Sequence, residues 1–357
     1  MTDVPTLPRK VRYLDEENDM RSNAGRRWSA TGLGIALALA LTACGGNLDS
    51  GGGGGGEEAA FPGGEPITML VGQDPGGSTD LIARALSEPA SDDLGVAITV
   101  ENRPGANGAL AARELAGAAP DGHTLMIYNG SLAYITPLAV SPDEAVDIAD
   151  YEIVTGISQD DYVLVTAPGS GFTTVQDLVA AGRPLTYGTT GVGTGSQLSQ
   201  ALLFAQAGVQ ASAVPFDGGS PTLTAVLGGQ VDVGAIQLGE AVEQIEAGAL
   251  TPIVTFATER PSYLPDTPTA VEAGYDVPVQ QSRAVFAPKG TPAEVLDALR
   301  TSFQKVFASQ PYQQFNAANQ LTPNEVDGDD LRAQWTKSLD DYRRVTEQYA
   351  IQLGDAQ

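Results

Sequence analysis

Short apolar segments and helical segments alternate between residues 66 and 257, and this alternation limits the fold more than any other feature of the sequence. The segments 67–72, 97–102 and 123–129 have the length and composition of buried strands. Apolar residues at helical spacing follow the first of them, and an alanine-rich segment follows the second. This order predicts an α/β fold with a parallel sheet covered by helices, which binds ligands where the strands end.

A second unit with the same alternation follows the first. Its predicted strands are 162–168, 184–188, 211–216, 231–237 and 250–257. A further strand and a final amphipathic helix are predicted to bring the chain back to the first unit. The sequence therefore predicts two lobes joined by a hinge: lobe 1 comprises residues 66–166 and 283–357, and lobe 2 comprises residues 167–282.

Two glycine-rich loops, one in each lobe, join a predicted strand to the start of a predicted helix. A helix N-terminus offers free N–H groups and the positive end of the helix dipole, which favour a bound anion. The candidate ligand-binding residues of the first loop are Gly76, Gly77, Ser78, Thr79 and Asp80. Those of the second loop are Thr189, Thr190, Gly193, Thr194, Gly195 and Ser196. Either loop alone is also compatible with a simple capped turn, whereas the pair predicts a clamp for a carboxylate.

Neither loop has the pattern of a nucleotide site. No Lys follows the glycines, which excludes a P-loop, and Ser196 stands where a dinucleotide-binding fingerprint has its third glycine. Residues near the ends of the predicted strands are expected to face the same cleft, and Arg283 is added as one of the few basic residues. These further candidates are Gln73, Asn107, Asn129, Ser131, Phe216, Asp217 and Arg283.

The N-terminal 65 residues are predicted to be an export signal and a tether. The apolar run 30–43 is shorter than the roughly 20 residues that a membrane span needs, and arginines precede it. It ends in Leu-Thr-Ala-Cys-Gly, which resembles a bacterial lipobox, and this Cys44 is the only cysteine. We therefore expect residues 1–43 to be a lipoprotein signal peptide, Cys44 to be lipidated, and residues 44–65 to form a glycine-rich flexible tether. An ordinary secretory signal with an unrelated Cys is the alternative.

Composition excludes several classes of function. The chain has 19 basic and 44 acidic residues, a net charge of −25, which argues against a nucleic-acid partner. One His and one Cys are too few for a zinc site, so no metal and no cofactor are predicted. A hydrolase that uses Ser78 or Ser196 is the least favoured function, because it has only His123 as a base and no nucleophile elbow.

Five sequence blocks resemble, in order, the substrate-binding receptors of tripartite tricarboxylate transporters, also called the Bug family. The blocks are ITMLVGQDPGGSTDLIAR, AITVENRPGANGALAARELAGAAPDGHTLMI, YGTTGVGTGSQLSQ, VPFDGGSPTLTAVLGGQVDV and DTPTAVEAGY…FAPKGTPAEVLDALR. The resemblance spans about residues 66–350. It implies a two-lobed periplasmic-binding-protein fold (type II-like, Venus flytrap) that closes on an organic anion and delivers it to a membrane permease. It also implies that loop amides and hydroxyls, rather than paired arginines, hold the carboxylate.

Some residues depart from the family pattern and leave the ligand open. Asp217 either repels a carboxylate or receives an amine or hydroxyl of the ligand, and Arg283 pairs either with a ligand carboxylate or with another residue of the protein. Tricarboxylates, small dicarboxylates, amino acids and aromatic carboxylates all fit two amide-lined loops. The predicted function is thus a non-enzymatic, extracytoplasmic, lipid-anchored solute receptor, and a ligand sensor that signals to a membrane partner is the alternative.

Overall fold

Strands and helices alternate along residues 61–354, the part of the chain that the computed structural model describes. The strands are β1 (Ile67–Val71), β2 (Ile98–Asn102), β3 (Thr124–Asn129), β4 (Tyr151–Thr166), β5 (Leu185–Thr189), β6 (Ala211–Pro215), β7 (Val233–Gln237), β8 (Thr251–Thr255) and β9 (Gln280–Pro288). The helices are α1 (Ser78–Leu94), α2 (Ala109–Ala116), α3 (Ser131–Tyr134), α4 (Val175–Val179), α5 (Gly195–Ala207), α6 (Gly219–Leu227), α7 (Leu238–Glu246), α8 (Ala293–Phe307), α9 (Gln310–Ala318) and α10 (Gly328–Gln348).

The strands pair in the order β2-β1-β3-β9-β4-β7-β5-β6, and β8 also pairs with β4. As predicted, β1 is parallel to β2 and β3, and β5 is parallel to β6 and β7. The strands β4 and β9 were predicted only in part, and they pair antiparallel with each other and with their other neighbours. The fold is therefore a mixed α/β structure with two groups of parallel strands joined by an antiparallel pair.

The long strand β4 joins the two groups of strands. Its residues Tyr151–Asp161 pair with β9, whereas Tyr162–Thr166 pair with β7 and β8. We call β1–β3 with α1–α3 and α8–α10 the first half, and α4–α7 with β5–β8 the second half. The chain enters the second half through β4 and returns through β9. The lobe boundaries predicted from the sequence fall at the end of β4 and within β9, and they remain a prediction.

Two apolar layers enclose the sheet of the first half. On one side, Met69 on β1 and Ile82 on α1 belong to a buried cluster with Phe303 on α8. On the other side, the Phe286 ring stacks on Tyr128 with centroids 4.2 Å apart and on Trp335 of α10 at 5.6 Å. Burial of each large apolar side chain contributes about 1.5–3 kcal/mol. The strands that carry the candidate site are thus fixed from both faces.

The described body begins at Phe61, whose ring packs against His123 with centroids 5.3 Å apart. Residues 61–65, the end of the predicted tether, form a turn. Cys44, the predicted signal peptide and the rest of the tether lie outside the described residues. None of the described helices combines enough length with enough apolar character to cross a bilayer.

Candidate functional site

A cavity of about 80 Å³ lies where the two halves meet, beside the N-terminus of α1 and the ends of β3 and β7. From the first half, it is lined by the predicted residues Gln73, Gly77, Ser78, Thr79, Asn129 and Ser131, together with Asn107. The predicted residues Thr190, Thr194 and Asp217 line it from the second half, and Arg283 lines it from β9. The structure thus brings eleven of the eighteen candidate residues to one cavity.

The first glycine-rich loop places the start of α1 at the cavity. Gly76 has a φ of +85°, and Gly77 takes the N-cap position with an extended backbone. The Asp80 carboxylate accepts the Gly76 N–H at 3.0 Å and pairs with Arg84 at 2.9 Å. Burial alone would raise the pKa of Asp80, but these partners, with Asn102, lower it below its ordinary value. Gly76 and Asp80 therefore shape the loop and do not line the cavity.

The second loop uses most of its polar groups within the protein. The Ser196 hydroxyl donates to the Ala235 carbonyl at 2.6 Å, and the Gly193 N–H donates to Gln197 Oε1 at 2.8 Å. Gly195 lies against the Tyr162 ring, where a Cβ would come within 2.7 Å of a ring carbon. The members of this loop that do not line the cavity are Thr189, Gly193, Gly195 and Ser196. Only Thr190 and Thr194 of its candidate residues line the cavity.

Among the described residues, Arg283 is the only basic one that lines the cavity, and its guanidinium donates to acceptors of the protein. It forms a buried ion pair with Asp160, with side-chain exposures of 1% and 4%. Further donors reach Ser78 Oγ at 3.0 Å and Thr79 Oγ1 at 3.2 Å. A second N–H of Nη2 donates to Gln237 Oε1. Arg283 thus connects α1 to β4 and β7, and Asp160 already neutralises its charge.

Ten further residues line the cavity that were not among the candidates, and four of them have long polar side chains: Tyr162, Gln237, Glu240 and Gln281. Because Arg283 has only donors, the Gln237 oxygen must face it, and the Gln237 amide nitrogen is left buried without a partner among the described residues. Gln237 is the last residue of β7, so its position at a strand end was a usable signal. Glu240 lies one turn further on, inside α7, which was not predicted.

Glu240 reaches across from α7 to the start of α1. Its Oε1 accepts the Ser78 N–H at 3.1 Å, and its Oε2 is enclosed without a hydrogen bond from any described residue. A Cβ at Gly219, the first residue of α6, would overlap this carboxylate. Burial raises the pKa of the Glu240 carboxyl above its ordinary value, and the Ser78 N–H and the charge of Arg283 offset part of that shift.

The raised pKa predicts how stability responds to pH. Native Glu240 holds its proton more tightly than the unfolded chain does, so the unfolded state releases it first as the pH rises. Relative to Glu240→Gln, the wild type should lose stability as the pH rises from about 4.5 through the raised pKa, by about 1.4 kcal/mol per unit of pKa shift. Urea unfolding of both proteins between pH 4.5 and 8 measures this difference. A difference that is constant with pH contradicts it, and Glu243→Gln, on the exposed face of α7, is the control.

The remaining candidates lie at the edge of the cavity or beside it. Asp217 is exposed at the rim and makes no ion pair with any described residue. Phe216 lines a neighbouring depression instead. His123 contacts Pro62 and Asp121. The Ser78 hydroxyl accepts a hydrogen bond from Arg283, and the Ser196 hydroxyl donates to the Ala235 carbonyl, so neither serine is paired with His123. No cluster of metal-ligating side chains is found within residues 61–354.

Comparison with known proteins gives matches over most of the chain. A model of the tripartite tricarboxylate transporter family receptor matches residues 82–349. A UPF0065 protein from the gbd 5′ region of Cupriavidus necator is 31% identical over 267 residues, which is 72% of this chain and 79% of that protein.

Solved structures show the same fold. Rpa4515 of R. palustris, determined with adipate, is 26% identical with a TM-score of 0.75 over 80% of this chain and 98% of that one. MatC of Rhodopseudomonas palustris, with bound malate, is 27% identical with a TM-score of 0.74 over 78% of this chain and 98% of that one.

Proposed function

Because the chain belongs to the tripartite tricarboxylate transporter receptor family, we propose that it captures a small organic carboxylate between its two halves and delivers it to a membrane permease. The observation that carries this proposal is the cavity between the halves, which is lined by hydroxyls, amides and a helix N-terminus. Such groups donate hydrogen bonds to a carboxylate without carrying a full charge. The buried Gln237 amide nitrogen is a donor that has no acceptor among the residues that the structure describes.

The carboxylate class is supported by the two solved structures determined with adipate and malate. The cavity is about 80 Å³ in volume, well below the roughly 300–1,000 Å³ of typical ligand pockets, which favours a small acid. Contacts between the halves, such as the 3.0 Å hydrogen bond from Thr136 Oγ1 to the Gly193 carbonyl, enclose the cavity. We expect β4 and β9 to act as the hinge that opens these contacts for ligand entry and release.

A thermal-shift screen of the chain from residue 45 onward tests the proposal. The probes are malate, succinate, adipate, citrate, aspartate, glutamate and benzoate, with glucose as the uncharged control. A ligand at one hundred times its Kd adds about 2.7 kcal/mol to the free energy of unfolding. We expect at least one carboxylate to produce such a stabilisation and glucose to produce none. Failure of every acid to stabilise the protein contradicts the proposed function.

Lipid anchoring is a separate part of the proposal and depends on Cys44. We expect Cys44→Ala to move the protein from the membrane fraction to the soluble extracytoplasmic fraction, because the acyl chains that hold it are attached to this thiol. Membrane fractionation and immunoblotting of cells that express the full chain measure this shift. Ser50→Ala, in the tether, is the control that stays in the membrane fraction. Retention of the Cys44→Ala protein on membranes contradicts the anchor.

A further inference from the structure

The charges around the cavity do not balance. Asp74, Asp217 and Glu240 line it, and among the described residues Arg283 is the single basic residue that does so. Arg283 is already paired with the buried Asp160, so it offsets only part of the charge of the other three carboxylates. Asp74 and Asp217 are exposed, where water screens them, but Glu240 is largely enclosed. Of the charged groups at the cavity among the described residues, the Glu240 carboxylate is thus the one whose charge is least compensated by water or by protein partners.

The Glu240 carboxylate is only half satisfied. Oε1 accepts the Ser78 N–H at 3.1 Å, whereas Oε2 is enclosed and has no donor among the described residues. Buried carboxylate oxygens are normally hydrogen-bonded, because an unmet buried acceptor costs free energy. Gly219 lies against the carboxylate, where any side chain would overlap Oε2. Glu240 and Gly219 both line the cavity, and the described residues supply no partner for Oε2.

We propose that the ligand carries a protonated amine as well as a carboxylate, and that Glu240 is the residue that receives this amine. This inference rests on the proposed function and names the ligand class within it: small amino-substituted acids. An ammonium group supplies both the missing donor and the missing positive charge. The Gln237 amide nitrogen also lines the cavity side of β7 as a buried donor without a partner among the described residues, and it is left for the carboxylate.

Two matched series of acids test the proposal, because their members differ in one substituent. The C4 series is aspartate, malate and succinate, which carry an ammonium, a hydroxyl and a hydrogen on the same skeleton. The C5 series is glutamate, 2-hydroxyglutarate and glutarate. Isothermal titration calorimetry at pH 7 measures each Kd for the wild type, Glu240→Gln and the exposed control Glu243→Gln. These measurements use the chain from residue 45 onward.

In at least one series, we expect the wild type to bind the amino acid at least 10-fold more tightly than the other two members. Glu240→Gln should weaken amino-acid binding by about 10- to 100-fold, as expected for loss of a charged hydrogen bond. It should leave binding of the unsubstituted acid equal or stronger, and Glu243→Gln should change neither.

Equal or tighter binding of the hydroxy or unsubstituted acid by the wild type in both series overturns the proposal, and so does an unchanged preference in Glu240→Gln. Both outcomes leave the carboxylate receptor itself intact. Binding of none of the six acids overturns the inference alone if adipate, citrate or benzoate stabilises the protein in the thermal-shift screen, and it overturns the proposed function as well if no acid does. The wild-type comparison decides the question without any variant, so a folding defect in Glu240→Gln does not prevent the test.

Discussion

Arg283→Ala is expected to lower the free energy of unfolding by about 3–5 kcal/mol, because it leaves the buried Asp160 carboxylate without its cation. Ser158 Oγ at 2.7 Å and the Thr322 N–H at 3.0 Å would still donate to Asp160, but neither carries a charge. The substitution also removes the hydrogen bonds that Arg283 donates to Gln237 and to the Ser78 and Thr79 hydroxyls of α1. We therefore expect ligand binding to weaken together with stability.

Urea unfolding at pH 7 measures the loss of stability. Arg344→Ala is the control, because Arg344 pairs with Asp341 at 3.1 Å on the surface and should cost at most about 1 kcal/mol. The double variant Arg283→Met, Asp160→Asn should lose less than the sum of its single variants, with a coupling energy of about 0.5–3 kcal/mol. A loss below about 1 kcal/mol for Arg283→Ala shows that the ion pair does not stabilise the fold.

Gly77→Val should weaken carboxylate binding at least about 100-fold, because its side chain fills part of a cavity with little spare room. The fold should tolerate it. Gly77 has a φ of −79° and a ψ of 168°, and a Cβ there meets only the Asp74 carbonyl at 3.7 Å. We expect the free energy of unfolding to change by no more than about 1 kcal/mol, since valine caps a helix less well than glycine.

Calorimetric titration with the acid that stabilises the wild type most measures the effect of Gly77→Val. Gly117→Val is the matched control, because Gly117 is exposed at the end of α2, with a φ of −88°, away from the cavity. Gly193 is less suitable, since its φ is +71° and a Cβ would approach the Thr136 Cα within 2.8 Å. Wild-type affinity in Gly77→Val means that the ligand does not bind at the start of α1.

The sequence located most elements and missed those whose stabilising contacts are distant. Residues 151–161 of β4 were not predicted as strand, because Gly156 and the Asp160-Asp161 pair interrupt the apolar pattern. In the fold, Gly156 packs against the Asn324 carbonyl, with which a Cβ would collide. Asp160 is buried and forms an ion pair with Arg283. Helix α7 was missed as well, although Leu238 and Ala241 bury one of its faces.

Part of the candidate site could be predicted from the sequence, and part of it depends on the tertiary structure. The loop before α1 could be predicted from its glycines, because strand-to-helix turns depend on local backbone geometry, although the N-cap is Gly77 and not a polar side chain. The second loop has the same local pattern, yet Ser196 and Gly193 direct their polar groups into the protein. Which of the two loops keeps free groups at the cavity depends on neighbours far along the chain.

The sequence by itself determined the α/β alternation, the two glycine-rich loops and the family, since these follow from short-range patterns and residue order. The tertiary structure alone decided the charge of the cavity. It paired Arg283 with Asp160, 123 residues away, and brought Glu240 to the Ser78 N–H across 162 residues. The first contact joins the paired strands β4 and β9, and the second joins the two halves. Both join residues far apart along the chain, and no local periodicity encodes such contacts.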